Sequence, residues 1–289
     1  MTPSAQRLRQ RLAEPRIIVM PSCFDALSAK LIERAGFEAT FMGGFAVAAA
    51  RIGMPDTGLI SYSEMVDQGR NICSAVSIPV IGDGDTGYGN ALNVKRTVHG
   101  YASAGFACVM IEDQVDPKRC GHTRGKQTVS RKEAFSRVQA AVDARDEGAD
   151  ILVMARTDAN ATEGFEEAIA RAQGFVDIGA DITFLEAPRN EDEMRSYCER
   201  VAGPKMANMV EQGDTPLLPA ARLEALGYKI VIYPITLMLA GIKAMEDALA
   251  AIKRGEHPQA LADFSHLRDI VGFPSYYEAE QKYALDRWT

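Results

Sequence analysis

Eight short apolar runs recur along this chain, and they restrict its fold more than any other feature. They read RIIVMPS (16–22), ATFMGG (39–44), IPVIGDGD (78–85), ACVMIED (107–113), ILVMART (151–157), ITFLEA (182–187), KMANM (205–209) and KIVIYP (229–234). Runs that are apolar throughout, rather than at alternate positions, belong to strands covered on both faces, as in a parallel sheet. Between them lie stretches with apolar residues at helical spacing, clearest at 25–36, 131–148 and 164–180. Gly36, Gly105, Gly179 and Gly227 each stand just ahead of a strand, where a left-handed helix end is expected. The joints share a similar tail (RAGFEAT, SAGFACV, DIGADIT, ALGYKIV), the mark of a repeated αβ unit.

Eight such units over roughly 240 residues predict an α/β fold of the (β/α)8 TIM-barrel type. A doubly wound dinucleotide fold would carry G-x-G-x-x-G after its first strand; here that turn reads PSCFDALSAK. Residues 236–289 are too many for one closing helix. They predict a second helix at about 258–270, a Gly-Phe-Pro break at 272–274 and an amphipathic tail. The expectation is one domain over 1–289, with the barrel at about 16–255 and a C-terminal helical segment at about 256–289.

Composition removes several function classes. Against 32 Lys and Arg stand 39 Asp and Glu, a net charge of −7, so nucleic acid and anionic membranes are not expected partners. No apolar run is long enough to span a bilayer, and the first fifteen residues lack the apolar core of a signal peptide. Five scattered cysteines without a CxxC pair fit a reducing, cytoplasmic setting rather than a disulfide framework.

The polar residues carry the function. Strand after strand ends on a polar side chain: Asp83 and Asp85, Glu112 and Asp113, Arg156 and Asp158, Glu186, Asn208. In a barrel these positions converge on the C-terminal rim, where barrel active sites sit. Taken singly, each reads equally well as a helix cap or an ion-pair partner. Two carboxylates two residues apart, Asp83 and Asp85, repel unless a cation joins them, and oxygen ligands suit Mg²⁺ or Mn²⁺. The polar run DPKRCGHTRGK (116–126) sets Cys120 among cations, which favours an acid/base or nucleophilic thiol on a loop that closes over substrate. His122 reads either as a group that orients or shuttles a proton or as an ordinary surface histidine, neither ligand nor catalyst. By itself that run also reads as a solvated basic loop.

With those residues in hand, the chain resembles the isocitrate lyase / phosphoenolpyruvate mutase superfamily over nearly its whole length. The pieces are MPD (54–56), DGDTGYGN (83–90), IEDQVDPKRCGH (111–122), MARTDA (154–159), LEA (185–187), ANMVEQGDTP (207–216) and YP (233–234). The KRCGH segment is similar to that of the family's carbon–carbon lyases, the short ones among which act on methylisocitrate and 2,3-dimethylmalate. The resemblance implies Asp83 and Asp85 as metal carboxylates for Mg²⁺ (Mn²⁺ as the alternative), with Asp56 and Glu112 holding its waters. It implies backbone N–H groups at Gly43, Gly44 and Phe45 for a substrate carboxylate, and substrate contacts from Arg156, Glu186 and Asn208. Cys120 would protonate the carbanionic product, with Lys118, Gly121 and His122 on the same loop and Arg268 reaching the site. Homotetramers whose C-terminal helix swaps between subunits are implied too.

Two departures narrow the expected substrate. The run Gly43-Gly44-Phe45-Ala46 replaces the S-G-G-G usual in methylisocitrate lyases, and Leu239 stands where they carry an Arg for an extra carboxylate. Losing a buried cation opposite a carboxylate costs several kcal/mol, so a small dicarboxylate, a substituted malate, is the expected substrate. Mg²⁺-dependent retro-Claisen cleavage to a 2-oxo acid and a carboxylate is the expected reaction, with Glu112 or a metal-linked water as the base. The rivals are oxaloacetate hydrolysis or decarboxylation, a phosphonomutase reaction and a non-enzymatic barrel.

Overall fold

The computed structural model describes residues 3–120 and 125–284. The chain divides into two compact units, Met1–Leu237 and Met238–Thr289. The first holds eight strands: β1 Ile18–Cys23, β2 Thr40–Met42, β3 Val80–Asp83, β4 Cys108–Glu112, β5 Leu152–Thr157, β6 Ile182–Leu185, β7 Met206–Asn208 and β8 Ile230–Tyr233. All pair parallel in the order β6-β5-β4-β3-β2-β1-β8-β7. A bridge between Thr183 and Lys205 joins β6 to the entry of β7 and closes the ring. The expected (β/α)8 barrel is what the chain forms.

Strand parity explains both the interior and the rim. Ile18 and Met20, Cys108 and Met110, Leu152 and Met154, Ile182 and Phe184, and Ile230 and Ile232 are buried together inside the ring, at alternate positions of their strands. The residues between them, such as Val109, Ile111, Val153 and Ala155, pack outward against helix residues Val98, Tyr101, Val138 and Phe175. Continuing the inward series by two places Asp83, Glu112, Arg156, Glu186 and Asn208 on the top layer. An apolar side chain buried there would contribute roughly 1.5–3 kcal/mol. The chain forgoes that at neighbouring strand ends, which marks the layer as functional.

Local signals set the helix boundaries. Asp25, Ser61 and Asn90 cap the helices Ala26–Arg34, Tyr62–Ala75 and Ala91–Ala104 with reciprocal capping boxes. Gly105, Gly179 and Gly227 close their helices in left-handed conformations, and Gly36 has φ +85° just past its helix, as the sequence predicted. An N-terminal helix, Pro3–Ala13, has no counterpart in the sequence reading; it buries Ala5 and Leu8 against the barrel-interior cluster.

The second unit continues the helix Thr236–Lys253 and adds Phe264–Val271 and Phe273–Lys282. The helix expected from about 258 begins instead at Phe264, after the Asp263 cap; Pro258 supplies no N–H to a helix running through it. The break at Gly272 is as read, with φ +93°. Leu239, Ile242, Met245, Leu249 and Ile252 are exposed and recur every three or four residues, forming an apolar stripe. No helix among the described residues is long and apolar enough to cross a membrane.

Candidate active site

Asp83 ends β3, and its carboxylate is fixed by backbone. Oδ2 accepts from the Gly44 amide at 3.1 Å and Oδ1 from the Asp85 amide at 3.0 Å. A Cβ at Gly44 would lie 3.0 Å from Asp83 Oδ2 and 3.4 Å from Asp85 Oδ1, so glycine is what lets the helix Gly44–Ile52 approach the two acids. The Gly44 amide is thereby engaged with Asp83. The next amides, of Phe45 and Ala46, belong to a first helical turn, which offers no acceptor of its own to them. Below, the Tyr101 hydroxyl donates to the Asp83 carbonyl at 2.6 Å.

Lys118 reaches into this acid cluster. Its ammonium lies 2.6 Å from Asp56 Oδ1 and 2.8 Å from Asp85 Oδ1, all three side chains 4% exposed. Burial alone would lower the Lys118 pKa, but Asp85, Asp83, Asp56 and Glu112 outweigh it and hold the ammonium well above its usual value. Burial pushes Asp85 up to about 7; Lys118 pulls against it, and Asp83 and Asp56 push it up again. The two shifts point to one cause: Lys118 stays charged, and carboxylates outnumber it.

Arg156 organises the opposite side. Its guanidinium donates to Asp158 at 2.8 and 3.0 Å, lies 3.1 Å from Glu186 and 3.4 Å from Glu112, and sits 5.2 Å from the Phe184 ring. Register places these groups, since Arg156 pairs with Glu112 on one side and Phe184 on the other. Burial raises Glu112 well above a normal carboxylate, Arg156 opposes that, and Asp158 reinforces it. Asn208 directs its amide at Glu186 over 3.4 Å. Asp85, Ala187 and Gln212 hold left-handed φ values of 47°, 53° and 61° just past β3, β6 and β7. Such backbone costs of the order of 1–3 kcal/mol per non-glycine residue and gathers at functional sites.

These groups line one cavity of about 310 Å³. Gly43, Gly44, Phe45, Asp56, Asp83, Glu112, Lys118, Cys120, Arg156, Glu186 and Asn208 all contribute to it. Asp85 stands behind, through Lys118. Gly121 and His122 lie outside the described residues. Arg268 belongs to the second unit, where its guanidinium lies 5.3 Å from the Phe273 ring and donates to the Tyr277 hydroxyl at 3.1 Å; Leu239 falls in that unit too. Arg119, which the sequence reading counted among the cations supplied to the site, lines the cavity, and so do two residues to which it gave no role, Glu211 and Gln212. The last two sit in the VEQGD turn after Asn208, and that strand-end position was the available signal.

The donor set fits a divalent metal that keeps part of its water. Among the described residues no three His, Cys, Asp or Glu side chains converge as a ready-made cage. Yet Glu112 Oε1 is a buried oxygen that accepts no hydrogen bond, Asp56 Oδ1 and Asp85 Oδ1 share the single Lys118 ammonium, and even with Arg156 beside Glu112 the carboxylates outnumber the cations. Magnesium is commonly held by one or two carboxylates plus waters, which is the arrangement such oxygens suit.

Comparison with known proteins places this geometry. The phosphoenolpyruvate phosphomutase family matches residues 8–253. A 2,3-dimethylmalate lyase of Eubacterium barkeri is 43% identical over 288 residues, covering 98% of this chain and 99% of the relative. An oxaloacetate acetylhydrolase solved with 3,3-difluorooxalacetate superposes with a TM-score of 0.93 at 32% identity over 96% of each chain. A phosphonopyruvate hydrolase solved with oxalate and Mg²⁺ superposes with a TM-score of 0.87 at 30% identity, over 98% of this chain and 99% of that one. A buried acid cluster, an Arg clamp and a thiol on one barrel rim thus belong to a chain whose relatives cleave or rearrange small acids, and this chain is an enzyme of the phosphoenolpyruvate mutase/isocitrate lyase superfamily.

Proposed function

We propose that the chain is a Mg²⁺-dependent carbon–carbon lyase that cleaves a substituted malate, of the 2,3-dimethylmalate kind, into a 2-oxo acid and a carboxylate. The observation that carries this reading is that Cys120 opens onto the same cavity as Arg156, Glu112 and Asp83. An acid, a base and a carboxylate clamp are thereby within reach of one small molecule. The dimethylmalate lyase likeness supports the substrate class.

Asp83 and Asp85 would hold Mg²⁺ (Mn²⁺ as the alternative), with Asp56 and Glu112 holding its waters, and the ion when bound supplies a Lewis acid at the C2 oxygens. Arg156 would balance one substrate carboxylate, and the first-turn amides of Phe45 and Ala46, residues that line the cavity, would donate to the other. Glu112, whose proton affinity burial raises, takes the C2 hydroxyl proton. As the C2–C3 bond breaks, its electron pair stays on C3 and C2 becomes a carbonyl. Cys120 Sγ gives its proton to C3, because a carboxylate-stabilised carbanion is strongly basic. Phe45 and Phe184 line the cavity, and apolar walls of this kind would favour keeping water from that carbon.

The test is a Mg²⁺-dependent screen of 2-hydroxy and 2-oxo dicarboxylates that detects the released 2-oxo acid. We expect cleavage of 2,3-dimethylmalate, and loss of about a hundredfold or more in kcat for Cys120→Ser. Failure to cleave any substituted malate would sink the lyase reading. The oxaloacetate acetylhydrolase likeness supports a second reading, hydrolysis of oxaloacetate, and turnover of oxaloacetate alone in the same screen would favour it. The enzyme is proposed as a cytoplasmic homotetramer, with the exposed stripe of the second unit as a contact between copies.

A further inference from the structure

The lysine side chains buried in this barrel differ in what they face. Lys205, at the entry of β7, donates to the Gly203 carbonyl at 2.7 Å. The Lys126 ammonium lies 3.5 Å from Asp158 Oδ1, an oxygen that also accepts from Arg156. Lys118 bridges two carboxylates, Asp56 at 2.6 Å and Asp85 at 2.8 Å. Lysine is almost never buried to this extent unless paired, and here one ammonium serves two acids.

That ammonium also borders both carboxylates proposed above to hold the metal. A Cβ at Gly44 would lie 3.0 Å from Asp83 Oδ2, 3.4 Å from Asp85 Oδ1 and 3.5 Å from Lys118 Nζ, so the three atoms surround one point. Asp56, Asp83, Asp85 and Glu112 are all buried around it. A divalent ion and the ammonium therefore draw on the same few oxygens, in a place where salt screens little.

The positive charge of Lys118 then acts in two opposite directions. It compensates buried acids that would otherwise destabilise the fold, because an unpaired buried charge costs several kcal/mol. It also repels any other cation that approaches those acids. We propose that Lys118 competes with the divalent ion for Asp56 and Asp85, which lowers metal affinity and makes the fold independent of the metal. This inference rests on the metal-binding part of the proposed function and not on the substrate.

The test is calorimetric titration of the full chain, treated with EDTA and dialysed, with MgCl₂ alone. Lys118→Met should bind Mg²⁺ at least about tenfold more tightly than the parent, since a buried like charge beside the ion is removed. Its melting temperature in EDTA should fall below the parent's. Added Mg²⁺ should raise that temperature further than it raises the parent's, as tighter binding to the folded state requires. Lys118→Gln, whose amide can still donate to one carboxylate, should also bind more tightly than the parent. Lys95→Met removes the same charge from a surface pair with Glu147 and should stay within about twofold. Unchanged or weaker affinity in the Lys118 variants would overturn the proposal and leave the metal reading standing. Equal tightening in Lys95→Met, or failure of both Lys118 variants to fold in excess Mg²⁺, would overturn it as well. A parent chain that binds no Mg²⁺ would remove the metal reading and this inference together.

Discussion

Glu112 and Asp113 are consecutive residues, 3% and 2% exposed, yet they serve opposite sides of the barrel wall. Glu112 faces inward, where Arg156 is its nearest cation at 3.4 Å and its Oε1 accepts no hydrogen bond. Asp113 faces outward, where the Asp158 amide, the Thr157 hydroxyl and Arg171 satisfy both of its oxygens. Burial raises both carboxyl groups. At Asp113 the hydrogen bonds and Arg171 pull back down; at Glu112 only cations oppose the rise. A buried ionic group whose partners are complete serves the fold, and one left short of partners is poised to receive something else.

Breaking the inner half should change chemistry and spare the fold. Glu112→Gln keeps shape and burial while removing the charge, so we expect turnover to fall by about a hundredfold to ten-thousandfold. The urea midpoint of that variant should stay at or above the parent's, because a neutral amide loses less on burial. A large loss of stability in Glu112→Gln would erase the distinction between the two clusters.

The outer half should behave in reverse. Arg171→Met leaves Asp113 buried beside Asp158 without its cation, a loss of about 3–5 kcal/mol for a broken buried pair. Urea unfolding followed by circular dichroism should show it, while turnover per folded molecule falls less than about tenfold. Gly69→Ala tests the wall at a purely apolar point: its Cβ would lie 2.1 Å from Phe106 Cζ, inside the cluster between barrel and helices. Overpacking there should cost about 1–3 kcal/mol of stability with the KM unchanged.

A smaller change sharpens the inner side. In Gly44→Ala the added methyl meets Asp83 Oδ2 at 3.0 Å, which moves the carboxylate proposed above to hold Mg²⁺ by a few tenths of an ångström. The apparent Mg²⁺ requirement should rise by about tenfold, the scale of a disturbed supporting shell, while the melting temperature stays close to the parent's. The mildest probe needs no substitution. Burial pushes the Cys23, Cys73 and Cys198 thiols up to about 12, so at pH 8 they hold little thiolate and Cys120 should be alkylated first. Labelling of Cys23 ahead of Cys120 would show that the cavity thiol is not accessible.

Much of this was legible before any coordinates. Apolar runs of strand length separated by helical periods, with glycines at the joints, leave few folds open, and the barrel follows. The same order puts Asp83, Glu112, Arg156, Glu186 and Asn208 at strand ends, hence on one rim. Cys120 stood out because its neighbours were cations rather than apolar residues. The N-terminal helix did not stand out, since it buries little more than Ala5 and Leu8.

What the chain alone determined, then, was the fold and the rim, because burial periodicity and strand ends are local properties. What the tertiary structure decided was which rim residues work together. In strands apolar on both faces the phase of the alternation is hidden, so nothing local separates inward Glu112 from outward Asp113. Nor does it pair Lys118 with Asp56 or Lys126 with Asp158, residues distant in the chain that only barrel closure and strand register bring within reach of one another.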